Sequence, residues 1–260
     1  MKTGRRLTFW VMLRVFFRSF FIQSAMNYER MQNLGFAYVM EPAIRHLYPA
    51  EQWNHALQRH LVFFNSNPYL TAAIIGASLK LEEKHANGEG SAQDVIDFKQ
   101  FMMGPIAALG DSFFWTSLKP LAASWAVLAA LSGVLWAPIA LLVLYNLVQV
   151  GFRVFGIFRG YRTGEEICLQ LQSFDLVKLS NFAQLMIAVM LGCSGAIFVG
   201  ASSRSAVSID GPLEVFLFAS LVLLFLLGVR RKLDATLLLY LYGLGTIIVV
   251  YLLDLWVPLT

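Results

Sequence analysis

Three groups of polar side chains stand out because the residues around them are apolar, and each has donors, acceptors or charge that can meet a ligand. The first runs from Glu29 and Arg30 through Met31, Gln32, Asn33 and Leu34 to Gly35 and Phe36. Its amides both donate and accept hydrogen bonds, which suits the hydroxyls of a sugar and equally suits bonding between helices. The second runs from Arg59 and His60 to Asn65, followed by Pro68 and Tyr69. A ligand contact and a helix cap with its turn both fit that pattern. The third comprises Gly104, Pro105, Gly110 and Asp111, with Trp115 just beyond. A carboxylate amid apolar residues needs a partner or a task, so Asp111 reads as a ligand contact or as half of an ion pair.

None of these groups is a catalytic signature. The four histidines, His46, His55, His60 and His85, form no H-E-x-x-H pair and lie beside no cysteine at ligand spacing. No phosphate-binding glycine loop, dinucleotide fingerprint or G-x-S-x-G elbow occurs, so neither a metal nor a cofactor is expected. Cys168 and Cys193 make no disulfide framework, and Cys193 falls in an apolar run where a thiol packs as a small side chain. An enzyme acting alone has no support in these residues.

The elements that must position the three groups are helices in lipid. Four stretches lack any charge: residues 121–152, 179–203, 215–229 and 235–253. A lysine, arginine or aspartate at a bilayer centre costs about 2.5–3.5 kcal/mol even on insertion scales, so runs of this length mark embedded helices. Composition agrees, with 58% hydrophobic and 14% charged residues and a mean hydropathy of +0.63. The net charge of +4 reads as loop bias and contact with anionic lipid, and not as a nucleic-acid footprint. Gly133 and Pro138 are expected to split the first run, and Ala188, Gly192, Ala196 and Gly200 give the second a small-residue packing face. Arg230, Arg231 and Lys232 sit in a short turn between the last two runs, which the positive-inside rule puts in the cytoplasm together with Arg153, Arg159 and Arg162.

The N-terminal 120 residues are mixed. Lys2, Arg5 and Arg6 precede an apolar stretch that Arg14 and Arg18 interrupt, with no cleavage pattern after it. Residues 1–26 therefore read as an amphipathic arm that lies at the interface or packs on a partner. A helix is predicted from Phe9 to about Met40, carrying Ser19, Gln23 and Asn27 as a polar stripe, with Glu41 and Pro42 as a boundary or kink. A second helix is predicted from Pro49 to Phe64, and Tyr69 to His85 reads as a small-residue apolar segment ending in the charged cluster Lys80, Glu82, Glu83 and Lys84. Gly104 and Pro105 are expected to break the segment after Ser91, and broken backbone at membrane depth survives only beside protein or a wet cavity. The fold class is thus an all-α integral membrane protein of one domain over residues 1–260. It has an amphipathic arm, re-entrant or broken helices over 27–120 and a transmembrane bundle over 121–260.

Four ordered motifs carry a resemblance that spans essentially the whole chain. They are N-Y-E-R-M-Q-N-L-G-F-A-Y at residues 27–38, R-H-L-V-F-F-N-S-N-P-Y at 59–69, L-E-E-K-H-A-N-G at 81–88 and M-G-P-I-A-A-L-G-D-S-F-F-W at 103–115. Together they resemble the IID subunit of the mannose/fructose/sorbose family of the bacterial phosphoenolpyruvate-dependent sugar phosphotransferase system. The resemblance implies a multi-pass subunit of the bacterial cytoplasmic membrane that pairs with a IIC subunit, typically as a trimer of such pairs, to form a hexose path. It implies cytoplasmic IIA and IIB proteins, or a fused IIAB, that relay phosphate and phosphorylate the sugar on entry, so the phosphoryl-transfer residues belong to other chains. It also implies a trunk and a mobile core with re-entrant segments. On this reading Gln32, Asn33, Asn65, Asp111 and Trp115 are the candidate sugar contacts. Glu29, Arg30, Gly35, Pro68, Gly104, Pro105 and Gly110 then shape the motifs. A non-transporting scaffold or receptor that stabilises a IIC-like partner is the alternative. Two departures from the family pattern stand out: Ser112 where proline is usual, with Ala108 where glycine is frequent, and a short 201–211 loop.

Overall fold

The computed structural model describes residues 5–202, together with isolated positions between 220 and 244. Among the described residues all regular structure is helical. The chain divides into two compact units, Met1–Ser194 and Gly195–Thr260. In the second, the described positions outside the long helix α9 (Leu176–Ser202) are isolated residues, mostly helical, with Arg230 and Arg231 exposed. Lys232, most of the 201–211 loop and most of the last two apolar runs lie outside the described residues.

The first unit begins with α1 (Phe9–Ser19) and α2 (Asn33–Leu47), which do not join into the single helix predicted from Phe9 to Met40. The interruption has a local cause. Asn27 Oδ1 accepts from the Arg30 amide at 2.8 Å, Asn27 and Met31 pair backbone to backbone, and Met31 takes a positive φ of 54°. Asparagine side chains compete with helix in this way at turns. Ser19, Gln23 and Asn27 are therefore not a stripe on one helix. α1 lays Val11, Met12, Val15 and Ser19 against its own chain and keeps Phe9, Trp10 and Phe17 outside.

Pro42 lies inside α2 instead of ending it. Proline removes the N–H that the carbonyl four residues back would accept, and here Arg18 replaces it by donating to the Tyr38 carbonyl at 2.9 Å. The same guanidinium pairs with Glu41 and lies 4.3 Å from the centre of the Tyr38 ring. Arg18 is thus a tether between α1 and α2, while Arg14 stays exposed. The start of the arm is held as well, since the Leu7 amide donates to Glu83 at 3.0 Å and Tyr161 donates to the same carboxylate.

The next predicted helix is shorter than expected. A 3-10 turn at Ala50–Gln52 leads into α3 (Trp53–Gln58), and residues 59–70 form a loop, because Arg59 and His60 turn inward. α4 (Thr71–Ala86) follows and is the most enclosed helix of the unit. It packs on α7 (Ala137–Thr163) with backbones nearly touching: a Cβ on Gly76 would fall 2.5 Å from the Gly156 carbonyl oxygen, and one on Gly156 2.7 Å from the Ala73 nitrogen. No side chain larger than glycine fits at that crossing. The small-residue face expected on α9 is not used this way among the described residues, as Gly192 faces open space.

α5 (Ala92–Gly110) starts with a capping box between Ser91 and Asp94 and runs on through Gly104 and Pro105. The expected break is displaced. The helix widens to π geometry over Asp111–Leu118 before continuing as α6 (Lys119–Leu131). Together these pieces make one apolar helix of 40 residues, Ala92–Leu131. At 1.5 Å per residue it is about 60 Å long, twice a bilayer's hydrocarbon core, so one end stands outside it. Gly133, at a φ of +88°, turns the chain between α6 and α7, and Pro138 sits in the first turn of α7, as the sequence leads one to expect. Ala137–Leu171, which takes in most of the short α8 (Ile167–Ser173), and Leu176–Gly195 of α9 are two further helices long and apolar enough to cross a membrane. Their outward residues include Ile139, Leu142, Leu147, Phe182 and Leu185, a surface suited to lipid. Arg153, one of the cations expected on the cytoplasmic side, is buried within α7.

Candidate sugar-contact face

Pro68 and the loop before it bring the second motif against the third. Asn67 is buried, with its Nδ2 donating to Asp111 Oδ1 at 2.9 Å and its own Oδ1 accepting from the Tyr69 and Leu70 amides. The approach is close enough to require glycine: a Cβ on Gly110 would lie 2.4 Å from Asn67 Cβ. Ser66 Oγ donates to the Met103 carbonyl at 3.0 Å, so the loop is pinned to α5 one residue before Gly104 as well as at its end. Gly104 itself meets nothing within 4 Å.

The π turn decides what faces outward. Asp111, Ser112, Trp115 and Thr116 are exposed, while Phe113, Phe114 and Ser117 are buried. Widening a helix leaves carbonyls without their usual partners, and hydroxyls meet them here. The Ser112 carbonyl accepts from Thr116 at 2.5 Å, from Ser117 at 2.9 Å and from Ser180 of α9 at 3.5 Å. Trp115 packs against Tyr69 with ring centres 5.7 Å apart and planes tilted by 39°, and it has the Lys119 ammonium 5.1 Å from its ring centre. Tyr69 also packs on Phe114 at 4.7 Å, and its hydroxyl accepts from Tyr145 at 3.1 Å. Asp111 has no cation partner among the described residues and bonds only a neutral amide, which leaves acceptor capacity on an open face. Asn65 lies two residues before Asn67, exposed and without a hydrogen-bond partner among the described residues. A carboxylate and an indole N–H so placed can accept from and donate to hydroxyls while an aromatic face covers C–H surface.

Gln32 and Asn33 are placed differently. Gln32 is buried and exchanges two bonds with Ser66, its Nε2 donating to the Ser66 carbonyl at 2.9 Å and its Oε1 accepting from the Ser66 amide at 3.1 Å. Asn33 donates to the Leu61 carbonyl at 2.9 Å and accepts from Asn27 at 2.8 Å. Both amides are spent on joining the first motif to the second. Gly35 lets α2 pass the Ile22 backbone, where a Cβ would clash at 1.9 Å. Glu29 and Arg30 pair with each other on the exposed tip.

Between α4, α5 and the loop after α3 lies a buried charge cluster that was not singled out as a site from sequence. Glu82 has no exposed surface. It accepts from Arg59 at 2.7 and 3.0 Å, from Tyr48 at 2.7 Å and from His60 Nε2 at 2.9 Å. Lys99 of α5 reaches the Arg59 carbonyl at 3.4 Å and His60 Nδ1 at 3.5 Å, with its ammonium 4.3 Å from the Phe36 ring centre. Burial, with the Lys99 ammonium beside it, pushes His60 down to about 4, so the ring is neutral at pH 7. Burial opposes ionisation of Glu82, but hydrogen bonds from His60 and the bidentate Arg59 hold its carboxyl well below the usual range. The signal in the sequence was the split of this cluster between two motifs, Arg59 and His60 in one and Glu82 in the other. No spacing rule links positions in separate elements.

A family model described as the PTS system mannose/fructose/sorbose family IID component matches residues 6–254. The mannose-specific EIID component of Escherichia coli K12 is 39% identical over 193 residues, covering 73% of this chain and 68% of that one. The fructose permease IID component of Bacillus subtilis 168 is 37% identical over 194 residues, covering 74% and 70%. Among solved structures, a chain of the mannose transporter ManYZ in complex with microcin E492 superposes with a TM-score of 0.59 at 30% identity, over 94% of this chain and 96% of that one. A second, titled only as a membrane protein, gives 0.69 at 31% identity over 93% and 96%. The chain is thus a membrane permease component belonging to the IID components of the mannose/fructose/sorbose phosphotransferase family.

Proposed function

We propose that this chain forms, with a IIC partner, the membrane path for a hexose of the mannose, fructose or sorbose type. Asn65, Asp111 and Trp115 contact the sugar, and Gln32 and Asn33 hold the loop that presents them. The observation that carries this reading is the open face at the π turn, where Asp111 keeps acceptor capacity beside the tilted Trp115–Tyr69 pair. Relatives named for mannose, fructose and sorbose support the substrate class. Phosphate then reaches the sugar from cytoplasmic IIA and IIB proteins, and the chain works in the bacterial cytoplasmic membrane within a trimer of IIC–IID pairs, with the Arg230 turn inside the cell.

The test is hexose uptake by the assembled IIC–IID pair in cells supplied with IIA and IIB. D111N and W115A are expected to assemble normally and to raise the half-saturating hexose concentration about tenfold, the loss of one charge-assisted or stacking contact of about 1.4 kcal/mol. Unchanged half-saturation with reduced assembly would favour the scaffold reading instead.

A further inference from the structure

Arg153 lies on α7, within a stretch apolar enough to cross a membrane, yet its side chain turns inward and the residue is only 3% exposed. No carboxylate pairs with it among the described residues. Its Nη1 donates to the Ser19 carbonyl at 2.6 Å and to Ser19 Oγ at 3.3 Å. Ser19 is the last residue of α1, so the guanidinium meets the negative end of that helix. The group also lies 4.8 Å from the Phe20 ring centre and 5.6 Å from that of Tyr69, and its Nε has no partner. A helix end and two ring faces thus stand where a counter-ion would be.

Filling this space with an apolar side chain would avoid desolvating a charge, so packing alone does not account for arginine. Its contacts tie α7 to two other pieces of chain: the end of α1 with the elbow after it, and the loop that begins with Arg59. The second of these supplies Tyr69, against which Trp115 packs and to which Tyr145 donates.

We propose that Arg153 is a positioning residue for the sugar face, clamping Tyr69 between the α1 elbow and α7 and so fixing the plane on which Trp115 rests. It touches no candidate sugar contact itself and acts through Tyr69. This inference rests on the sugar-path reading above. It adds a device in which the N-terminal arm, far away in sequence, sets the geometry of the contact face. Lysine can reach the Ser19 carbonyl but presents no flat group to Phe20 and Tyr69 together, so the two functions of the side chain are separable.

The experiment compares R153M and R153K with W115A in the complete IIC–IID pair, measuring assembly, half-saturation and maximal rate of hexose uptake. R153M is expected to raise half-saturation five- to tenfold with a smaller fall in maximal rate, and R153K to recover about half of that shift on a logarithmic scale. An R153M pair that assembles and keeps wild-type half-saturation overturns the proposal. So does failure of both variants to assemble, which would assign Arg153 to folding alone. If only R153M fails to assemble, R153K decides: a raised half-saturation supports the clamp and a wild-type value overturns it. If W115A too leaves half-saturation unchanged, the sugar-path reading itself has failed, whereas a shift in W115A without one in R153K or R153M removes only the clamp.

Discussion

The cluster around Glu82 and the face around Asp111 each hold a carboxylate with an amide or imidazole neighbour, yet they do opposite work. Glu82 is fully enclosed, and both of its oxygens are taken by Arg59, with Tyr48 and His60 adding one bond each. Asp111 is exposed and bonds one buried amide. Saturation converts a carboxylate into architecture, because nothing is left to offer a ligand. Partial satisfaction at an open surface leaves it available. The same distinction separates Gln32 and Asn33, whose bonds are spent inside the chain, from Asn65, which has none among the described residues.

The largest expected effect tests the enclosed side of that contrast. Glu82→Ala strands Arg59 and Lys99 in the interior, and breaking a buried pair in this way costs about 3–5 kcal/mol. Thermal unfolding of the detergent-purified chain is expected to show a large fall in Tm, with little folded protein recovered. Asp111→Ala leaves the buried Asn67 Nδ2 without its acceptor and should cost about 1–3 kcal/mol by the same measurement, less than Glu82→Ala because no charge is stranded. Equal losses at the two positions would erase the distinction.

A pH series sharpens it further. His60 is held neutral with a folded value of about 4, below its ordinary 6.5. The unfolded chain therefore binds the extra proton first, and stability falls as pH drops through the window from 6.5 to 4. Full protonation costs on the order of 3 kcal/mol at 1.36 kcal/mol per pKa unit. Glu82, held low in the fold, adds a loss that begins as pH falls below about 4.5. Tm followed from pH 7 to 4 is expected to decline, and His60→Gln, which keeps an N–H for Glu82 but cannot titrate, should flatten the upper part of the decline. A smaller effect is expected from Tyr145→Phe, which removes the donor to the Tyr69 hydroxyl. With only about 1 kcal/mol at stake for one neutral hydrogen bond, half-saturation in uptake should rise two- to fivefold while Tm moves little.

How much was legible in the residues varies by element. The break at Gly133 with Pro138 beyond it was readable, since each residue has a backbone constraint of its own. The long apolar helices were readable because charge is excluded from lipid regardless of what a helix packs on. Pro105 misled for the complementary reason. Proline weakens a helix locally, but α5 runs through it, and the irregularity moved to Asp111–Leu118, where the hydroxyls of Thr116, Ser117 and Ser180 take up one widened carbonyl. Pro42 misled in the same way, because Arg18, 24 positions earlier, supplies the donor that proline lacks.

From the order of residues alone came the solvent of the protein, its helical class, the four motifs and the short set of polar groups worth suspecting. These follow from properties each residue carries with it: transfer energy, turn preference, donor and acceptor count. Only the tertiary structure decided which of those groups were already satisfied. Whether an amide or a carboxylate is free depends on partners brought from distant segments, Ser66 to Gln32, Asn67 to Asp111, Arg153 to Ser19. No local rule contains those meetings.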